Sequence, residues 1–187
     1  MRWLDTPLPE VKIVIAERVG DKRGFFSEVW NARDFEAMGV RTACVQDNHV
    51  RNPHMGTVRG LHYQIRPVAQ GKLLRVTRGA IFDVAVDIRR GSPTFGQHAD
   101  AVLSADNWYQ LWVPAGFAHG YCTLEDDTEV QYKVTNLYSP AHDRGIAWDD
   151  PDVKINWPVT AETAILSDRD RKLPRFSGQM DLFEYEK

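Results

Sequence analysis

Alternation of apolar and polar side chains dominates the chain and predicts a protein built from short β-strands. The clearest case is the segment 81–88, where four apolar side chains share one face while Asp83 and Asp87 lie on the other. Further strands are predicted at 12–19, 25–30, 73–77, 108–113 and 129–136. Glycine and proline recur between these segments as turn signals. Many short strands separated by such turns are typical of a β-sandwich or barrel.

Helical signals are few. Residues 31–38 predict a helix of about two turns, with Asn31 as the N-cap and Gly39 as the stop. Residues 161–165 predict another short turn, and the stretch after Pro174 predicts an arm packed on the barrel. The predicted class is all-β with short peripheral helices, in a single domain that spans residues 1–187.

Composition and charge narrow the classes of function. A hydrophobic fraction of 43% and a charged fraction of 26% are ordinary for a globular protein, and a net charge of −3 gives no general attraction to nucleic acid or anionic membranes. The N-terminus lacks the apolar region of a signal peptide, and no apolar run is long enough for a membrane span. Cys44 and Cys122 are too few for a disulfide framework and lack the spacing of a zinc motif. We therefore expect a cytoplasmic protein that binds neither nucleic acid nor membranes.

Two histidine-containing segments resemble the paired motifs of the cupin superfamily, whose fold is a double-stranded β-helix, or jelly roll. They are 56–64 (GTVRGLHYQ) and 114–120 (PAGFAHG). Metal-binding cupins place two histidines at positions i and i+2 of one strand face, but here the second position is Gln64 and the glutamate that follows is absent. His62 and His119 alone are too few ligands for a catalytic metal, so we predict a metal-free pocket. Taken singly, either histidine is more simply a buried side chain with satisfied hydrogen bonds.

An ordered set of short motifs is similar to the dTDP-4-dehydrorhamnose 3,5-epimerase family over nearly the whole chain. The motifs are 21–26 (DKRGFF), 46–49 (QDNH), 59–64 (RGLHYQ), 70–72 (QGK), 114–120 (PAGFAHG), 132–135 (YKVT), 138–140 (YSP) and 166–170 (LSDRD). The resemblance implies conversion of dTDP-4-dehydro-6-deoxy-D-glucose to dTDP-4-dehydro-L-rhamnose, by proton exchange at C3 and C5, in dTDP-L-rhamnose biosynthesis. It also implies a homodimer that works without a metal or cofactor.

The resemblance assigns four catalytic residues, and the chemistry of each side chain suits its role. His62 is the expected base, because imidazole titrates nearest neutrality, and Asp170 would fix its tautomer. Asp83 is the alternative for this orienting role. Lys72 would stabilise the enolate, and Tyr132 would act as the acid on the opposite face. Without the resemblance, composition favours a turn residue for Asp170 and a solvated lysine for Lys72, and Tyr132 is equally a core aromatic.

Substrate-binding residues are also implied by the resemblance. Arg23, Arg59 and His119 would contact the diphosphate, since a guanidinium fork pairs well with phosphate oxygens. The strand that carries Arg23, Phe26 and Glu28 would reach into the neighbouring subunit's site. The binding residues on the nucleotide and sugar side would be Gln46, Asn48, Lys72, Tyr138, Asp143 and Arg169.

Two of these positions depart from the family pattern. The family commonly has glutamate where Asp143 stands and lysine where Arg169 stands. Both changes keep the charge but alter the reach of the side chain. Tyr138, by contrast, has a flat ring that suits stacking on thymine.

Other functions stay open at this point. A 3- or 5-monoepimerase of a related dTDP-4-keto-deoxysugar and an isomerase that moves the ketone are close enzymatic alternatives. A metal-dependent cupin oxygenase would need ligands that the motifs lack. A non-catalytic sugar-binding cupin would explain the fold, but not why His62, Lys72, Tyr132 and Asp170 occur together.

Overall fold

Two antiparallel β-sheets face each other in the computed structural model, which describes residues 1–185. The strands are β1 (Arg2–Asp5), β2 (Lys12–Ile15), β3 (Val19–Asp21), β4 (Gly24–Phe26), β5 (Gln46–Asn52), β6 (Val58–Gln64), β7 (Lys72–Arg78), β8 (Ala80–Asp87), β9 (Arg89–Arg90), β10 (His98–Ser104), β11 (Tyr109–Val113), β12 (Phe117–Thr123), β13 (Thr128–Val134), β14 (Asp143–Gly145) and β15 (Phe183–Glu184). The helical elements are α1 (Ala32–Ala37) and the short 3₁₀ helices η1 (Asp170–Lys172) and η2 (Phe176–Gly178).

The strand order of each sheet interleaves strands that are distant in sequence. The first sheet runs β1-β2-β11-β7-β13-β5, and the second runs β10-β8-β12-β6-β14. Side chains from both sheets fill the space between them, among them Leu74, Leu111, Ile81 and Phe117, each at most 2% exposed. The predicted all-β jelly roll with short peripheral helices is confirmed.

A second apolar layer covers the outer face of the second sheet. Val84 on β8 belongs there to one apolar cluster with Phe176 and Phe183 from the C-terminal arm. The opposite face of β8, which carries Asp83 and Asp87, is also fully buried because it points between the sheets. β8 is therefore covered on both sides, and each of its carboxylates needs a partner inside the protein.

The predicted helix is present with its predicted ends. The Oδ1 of Asn31 accepts hydrogen bonds from the backbone N–H groups of Arg33 and Asp34, at 2.9 Å and 3.4 Å. Just past the helix, Gly39 has a φ of +86°, a conformation that favours glycine after a helix end. Across residues 1–185, we find no helix with the length and hydropathy that a bilayer crossing requires.

Two strand predictions near the N-terminus are wrong in extent. The strand predicted at 12–19 breaks after Ile15, because the paired segments of both β1 and β11 end opposite that residue. The strand predicted at 25–30 stops at Phe26, where the β3–β4 hairpin ends. Beyond it, the hydroxyl of Ser27 accepts a hydrogen bond from Nε1 of Trp108 at 3.0 Å, which draws the chain onto the first sheet.

Candidate active site

A cleft of about 450 Å³ opens between the two sheets. β6 and β12 of the second sheet line one wall, and β7 and β13 of the first sheet line the other. The segment 165–170, which leads into η1, lines the cleft as well. The cleft is therefore built by parts of the chain that lie far apart in sequence.

A bulge in β6 turns both Arg59 and His62 toward this cleft. Strict alternation would place residues three apart on opposite faces of a strand. In the pairing with β12, however, His62 lies opposite His119 and Arg59 lies opposite Tyr121, so β6 carries one extra residue between the two pairs. Such a bulge re-aims side chains, and all four of these residues line the cleft.

Glycine makes this bulge possible. Gly60 has a φ of +132°, and a Cβ added there would lie 2.5 Å from the Cα of Gly120 on the neighbouring strand. No side chain fits such a gap, so the close approach of β6 and β12 requires glycine at Gly60. The RGLH sequence therefore encodes local geometry as well as chemistry.

His62 is paired with a buried carboxylate. Its Nε2 lies 2.6 Å from Oδ1 of Asp170, whose side chain is 5% exposed. Burial acts to raise the pKa of Asp170, but the hydrogen bonds from His62 and Ser167 and the nearby charge of Arg169 hold that pKa below its usual value. An ionised carboxylate can only accept, so Nε2 of His62 carries the proton and Nδ1 is left to take up another.

Lys72 and Tyr132 lie on the facing sheet. The ammonium of Lys72 donates to the backbone carbonyl of His62 at 3.3 Å. Burial lowers the pKa of Lys72 to about 8, partly opposed by the charges of Asp143 and Asp83. Burial also raises the pKa of the Tyr132 phenol, so Tyr132 is a protonated acid at neutral pH. A cation and a phenolic proton donor thus line the wall opposite the imidazole.

A second histidine–carboxylate pair lies beside the first. Nε2 of His119 is 2.6 Å from Oδ1 of Asp83, and both residues are buried. Burial lowers the pKa of His119, although Asp83 acts in the other direction. The second oxygen of Asp83 has no hydrogen-bond partner among residues 1–185. The alternative prediction that Asp83 orients His62 is therefore wrong, because its carboxylate is committed to His119.

A neighbouring pocket of about 300 Å³ shares His62, Lys72, Tyr132 and Arg169 with the cleft. Its other predicted site residues are Gln46, Asn48, Tyr138 and Asp143.

These residues form one connected network. The Tyr138 hydroxyl donates to Oδ2 of Asp143 at 3.0 Å, and Nη1 of Arg169 lies 2.7 Å from the same oxygen. The backbone N–H of Tyr138 donates to Gln46 at 3.1 Å. The two positions that depart from the family pattern thus pair with each other.

Gln64 stands where a metal-binding cupin has its second histidine, and it holds a loop. Its Oε1 accepts from the backbone N–H of Ser139 at 2.7 Å, and its Nε2 donates to the carbonyls of Val68 and Leu137 at 2.7 Å and 3.2 Å. This loop carries Tyr138. In the described part of the chain, no group of three or more His, Cys, Asp or Glu side chains is placed to hold a metal ion.

Three predicted binding residues lie outside the cleft of their own chain. Phe26 is 72% exposed, and the side chain of Arg23 is 84% exposed and bound to Asp21. Glu28 accepts a hydrogen bond from Asn31 at 3.0 Å. All three belong to the protruding β3–β4 hairpin or the residues just after it.

Ser167 and Tyr121 line the cleft but were not predicted from the sequence. The hydroxyl of Ser167 accepts from the backbone N–H of Asp170 at 3.0 Å, in the turn that leads into η1. The signal for Ser167 was present, because serine three residues before an acidic residue is typical of a helix start. Tyr121 had no such signal, since it reaches the cleft through the bulge.

An imidazole and a phenol on facing walls can remove a proton from one side of a carbon and return one to the other side. This fold and this arrangement define a cupin-type enzyme of the epimerase class.

Comparison with known proteins specifies the family. The sequence model described as "dTDP-4-dehydrorhamnose 3,5-epimerase" matches residues 5–178. A relative of that name from Sinorhizobium fredii (strain NBRC 101917 / NGR234) is 51% identical over 187 residues, which are 100% of this chain and 95% of the relative. The dTDP-6-deoxy-D-glucose-3,5-epimerase of Legionella pneumophila Philadelphia 1, solved with dTDP-4-keto-L-rhamnose, has a TM-score of 0.94 and 40% identity over 100% of this chain and 99% of its own. The dTDP-4-dehydrorhamnose 3,5-epimerase of Bacillus anthracis str. Ames, solved with TDP and PPi bound, has a TM-score of 0.89 and 49% identity. This match covers 93% of this chain and 98% of the Bacillus anthracis chain. The chain belongs to the dTDP-4-dehydrorhamnose 3,5-epimerase family, as its motifs predicted.

Proposed function

We propose that the protein converts dTDP-4-dehydro-6-deoxy-D-glucose to dTDP-4-dehydro-L-rhamnose by inverting C3 and C5. The observation that carries this proposal is the placement of the His62–Asp170 pair and Tyr132 on facing walls of one cleft. The names of the relatives and the sugar nucleotide bound by the Legionella pneumophila structure support the choice of substrate.

The proposed reaction begins at His62. The C4 ketone makes the protons on C3 and C5 acidic, and Nδ1 of His62 removes one of them. The electrons of the C–H bond move into an enolate, and Asp170 stabilises the imidazolium that forms. Tyr132 then donates its phenolic proton to the opposite face of the same carbon. Solvent restores both groups to their starting protonation states before the second carbon reacts.

Lys72 would stabilise the enolate oxygen. Its half-buried ammonium lies beside His62, in surroundings that strengthen electrostatic interactions. A pKa of about 8 keeps most of the ammonium charged at neutral pH. These side chains supply the base, the acid and the cation, so the proposed chemistry needs no cofactor.

Arg59 and His119 would bind the diphosphate. With Nε2 of His119 donating to Asp83, only a protonated imidazole can donate a second hydrogen bond through Nδ1. An arriving phosphate favours that protonation. Gln46, Asn48, Tyr138, Asp143 and Arg169 would hold the nucleotide in the adjoining pocket.

The enzyme would act as a homodimer with exchanged hairpins. Phe25 and Phe26 are 54% and 72% exposed on a hairpin that lines neither the cleft nor the adjoining pocket, and neighbouring exposed aromatic side chains are typical of an interaction surface. If this hairpin enters the neighbouring subunit's cleft, it brings Arg23, Phe26 and Glu28 to the substrate. We also assign the enzyme to the cytoplasm, where free thiols such as Cys44 and Cys122 are maintained.

Isotope exchange tests the reaction. Incubation with dTDP-4-dehydro-6-deoxyglucose in deuterated water should place deuterium at both C3 and C5 and give the L-rhamno product by NMR. Deuterium at a single carbon would indicate a monoepimerase, and no incorporation would indicate a non-catalytic binding protein. The variant His62→Ala should bind dTDP but show negligible exchange, and exchange at the wild-type rate would refute its role as the base.

A further inference from the structure

We propose that Asn52 is a positioning residue that fixes the guanidinium of Arg59 for binding anionic phosphate oxygens. This inference rests on the proposed function, in which Arg59 contacts the diphosphate. Asn52 is the last residue of β5, on the first sheet, and is fully buried. Its Oδ1 accepts a hydrogen bond from Nε of Arg59, on the second sheet, at 2.8 Å.

The orientation of the Asn52 amide is fixed by its other contacts. Its Nδ2 donates to the backbone carbonyl of Thr128 at 3.2 Å and to the hydroxyl of Tyr121 at 3.3 Å. A carbonyl only accepts, so the amide nitrogen must face Thr128, and the amide oxygen must face Arg59. The buried Tyr121 hydroxyl also lies 3.4 Å from Oδ1 and can donate to it.

This contact determines which edge of the guanidinium meets a ligand. Because Nε is occupied by Asn52, the two terminal nitrogens of Arg59 are the edge left to face the cleft. That edge can donate two parallel hydrogen bonds to one phosphate group. An immobilised fork also loses less side-chain freedom when the ligand binds, which favours tighter binding.

The charge of Arg59 is available to a ligand. Arg169, the other arginine that lines the cleft, is ion-paired with Asp143 at 2.7 Å. The guanidinium of Arg59 makes no ion pair with a carboxylate within residues 1–185, and its only hydrogen-bond partner there is the neutral amide of Asn52. A neutral acceptor orients the guanidinium without cancelling its charge. An aspartate at the same position would cancel it.

A double-mutant cycle tests the inference with dTDP as the probe, using calorimetry. Asn52→Leu should weaken dTDP binding up to about 10-fold, because the freed Arg59 side chain must then be ordered when the ligand binds. Asn52→Asp should weaken it as well, through neutralisation of Arg59. In an Arg59→Met background, Asn52→Leu should change the affinity less than about 2-fold, because no guanidinium remains to be positioned. In steady-state kinetics, Asn52→Leu should raise KM about 10-fold and leave kcat within about 2-fold.

Asn107→Leu is the matched control, since both the oxygen and the nitrogen of the Asn107 amide are hydrogen-bonded but the residue lies in the β10–β11 turn. It should leave dTDP affinity unchanged.

If Asn52→Leu does not fold, Tyr121→Phe should weaken dTDP binding a few-fold in the wild-type background only. Wild-type affinity in Asn52→Leu, or an equal loss in the Arg59→Met background, would overturn the inference. A wild-type protein that fails to bind dTDP or to exchange deuterium would instead overturn the proposed function.

Discussion

Replacement of Asp170 by asparagine measures how much the negative charge of the carboxylate helps His62 act as the proposed base. The substitution keeps the size of the side chain and an oxygen that can accept a hydrogen bond from Nε2 of His62. In the wild type this nitrogen lies 2.6 Å from Oδ1 of Asp170. What it removes is the negative charge that faces the imidazolium once His62 has taken a proton. We therefore expect Asp170→Asn to retain the fold and substrate binding and to lose rate.

The size of this loss follows from the geometry. The Asp170 carboxylate is 5% exposed, so water screens its charge only weakly. A hydrogen bond to a charged group contributes about 1.5 to 3 kcal/mol, whereas a hydrogen bond between neutral groups contributes about 1 kcal/mol. Because this stabilisation develops as the imidazolium forms, it lowers the barrier. The difference of about 2 kcal/mol corresponds to a kcat about 30-fold below that of the wild type.

The assay is deuterium incorporation from deuterated water, followed by NMR, together with dTDP affinity by calorimetry. Asp168→Asn is the matched control, because it makes the same chemical change at an exposed residue two positions earlier. We expect Asp168→Asn to exchange at the wild-type rate and both variants to bind dTDP equally well. An Asp170→Asn protein that exchanges within about 2-fold of the wild type would refute the argument, since the charge would then not contribute to the barrier.

Three further predictions test the remaining assignments. The kcat/KM of the wild type should fall as pH rises through about 8, where the Lys72 ammonium loses its proton. The arginine of Lys72→Arg stays charged far above that pH, so the fall in kcat/KM near pH 8 should disappear in this variant. The same fall in both proteins would contradict the role of Lys72. Tyr132→Phe should bind dTDP normally but invert substrate at least about 100-fold more slowly, and NMR of the product should show it. The variants Arg23→Ala and His62→Ala, refolded together in equal amounts, should recover about a quarter of wild-type activity. With exchanged hairpins, about half of the dimers are mixed, and each mixed dimer has one intact site of two. No recovery would show that Arg23 serves its own subunit.

Periodicity and turn signals predicted most of the body of the fold. Residues 31–38 carried a readable N-cap in Asn31, and 81–88 carried a readable strand. The alternation in 81–88 predicted two faces of the strand, but not which part of the protein packs on each face. Its apolar face lies under the C-terminal arm, and its acidic face lies between the sheets. Which layer covers a face depends on parts of the chain far away in sequence, so one segment cannot reveal it.

The partner of His62 shows the same limit at the site. Asp170 lies 108 positions from His62, and local composition favours a turn residue there. Only the family resemblance selected it over Asp83. Whether Asp83 meets His62 or His119 depends on how β8, β12 and β6 align, and that alignment includes the bulge at Gly60. A bulge that rests on contact between two glycines on different strands leaves no periodic signal.

Gln64 fits the proposed acid–base role of His62. An imidazole bound to a metal has given its free lone pair to the ion and cannot accept a proton from a substrate. Here the Gln64 amide is committed to the loop that carries Tyr138, and Nε2 of His62 is committed to Asp170. In the proposed reaction, the lone pair on Nδ1 of His62 then remains available to the substrate, while the same glutamine holds the loop that carries Tyr138, a proposed nucleotide contact. Under this proposal, glutamine at one position of the RGLHYQ segment supports both proton transfer and nucleotide binding.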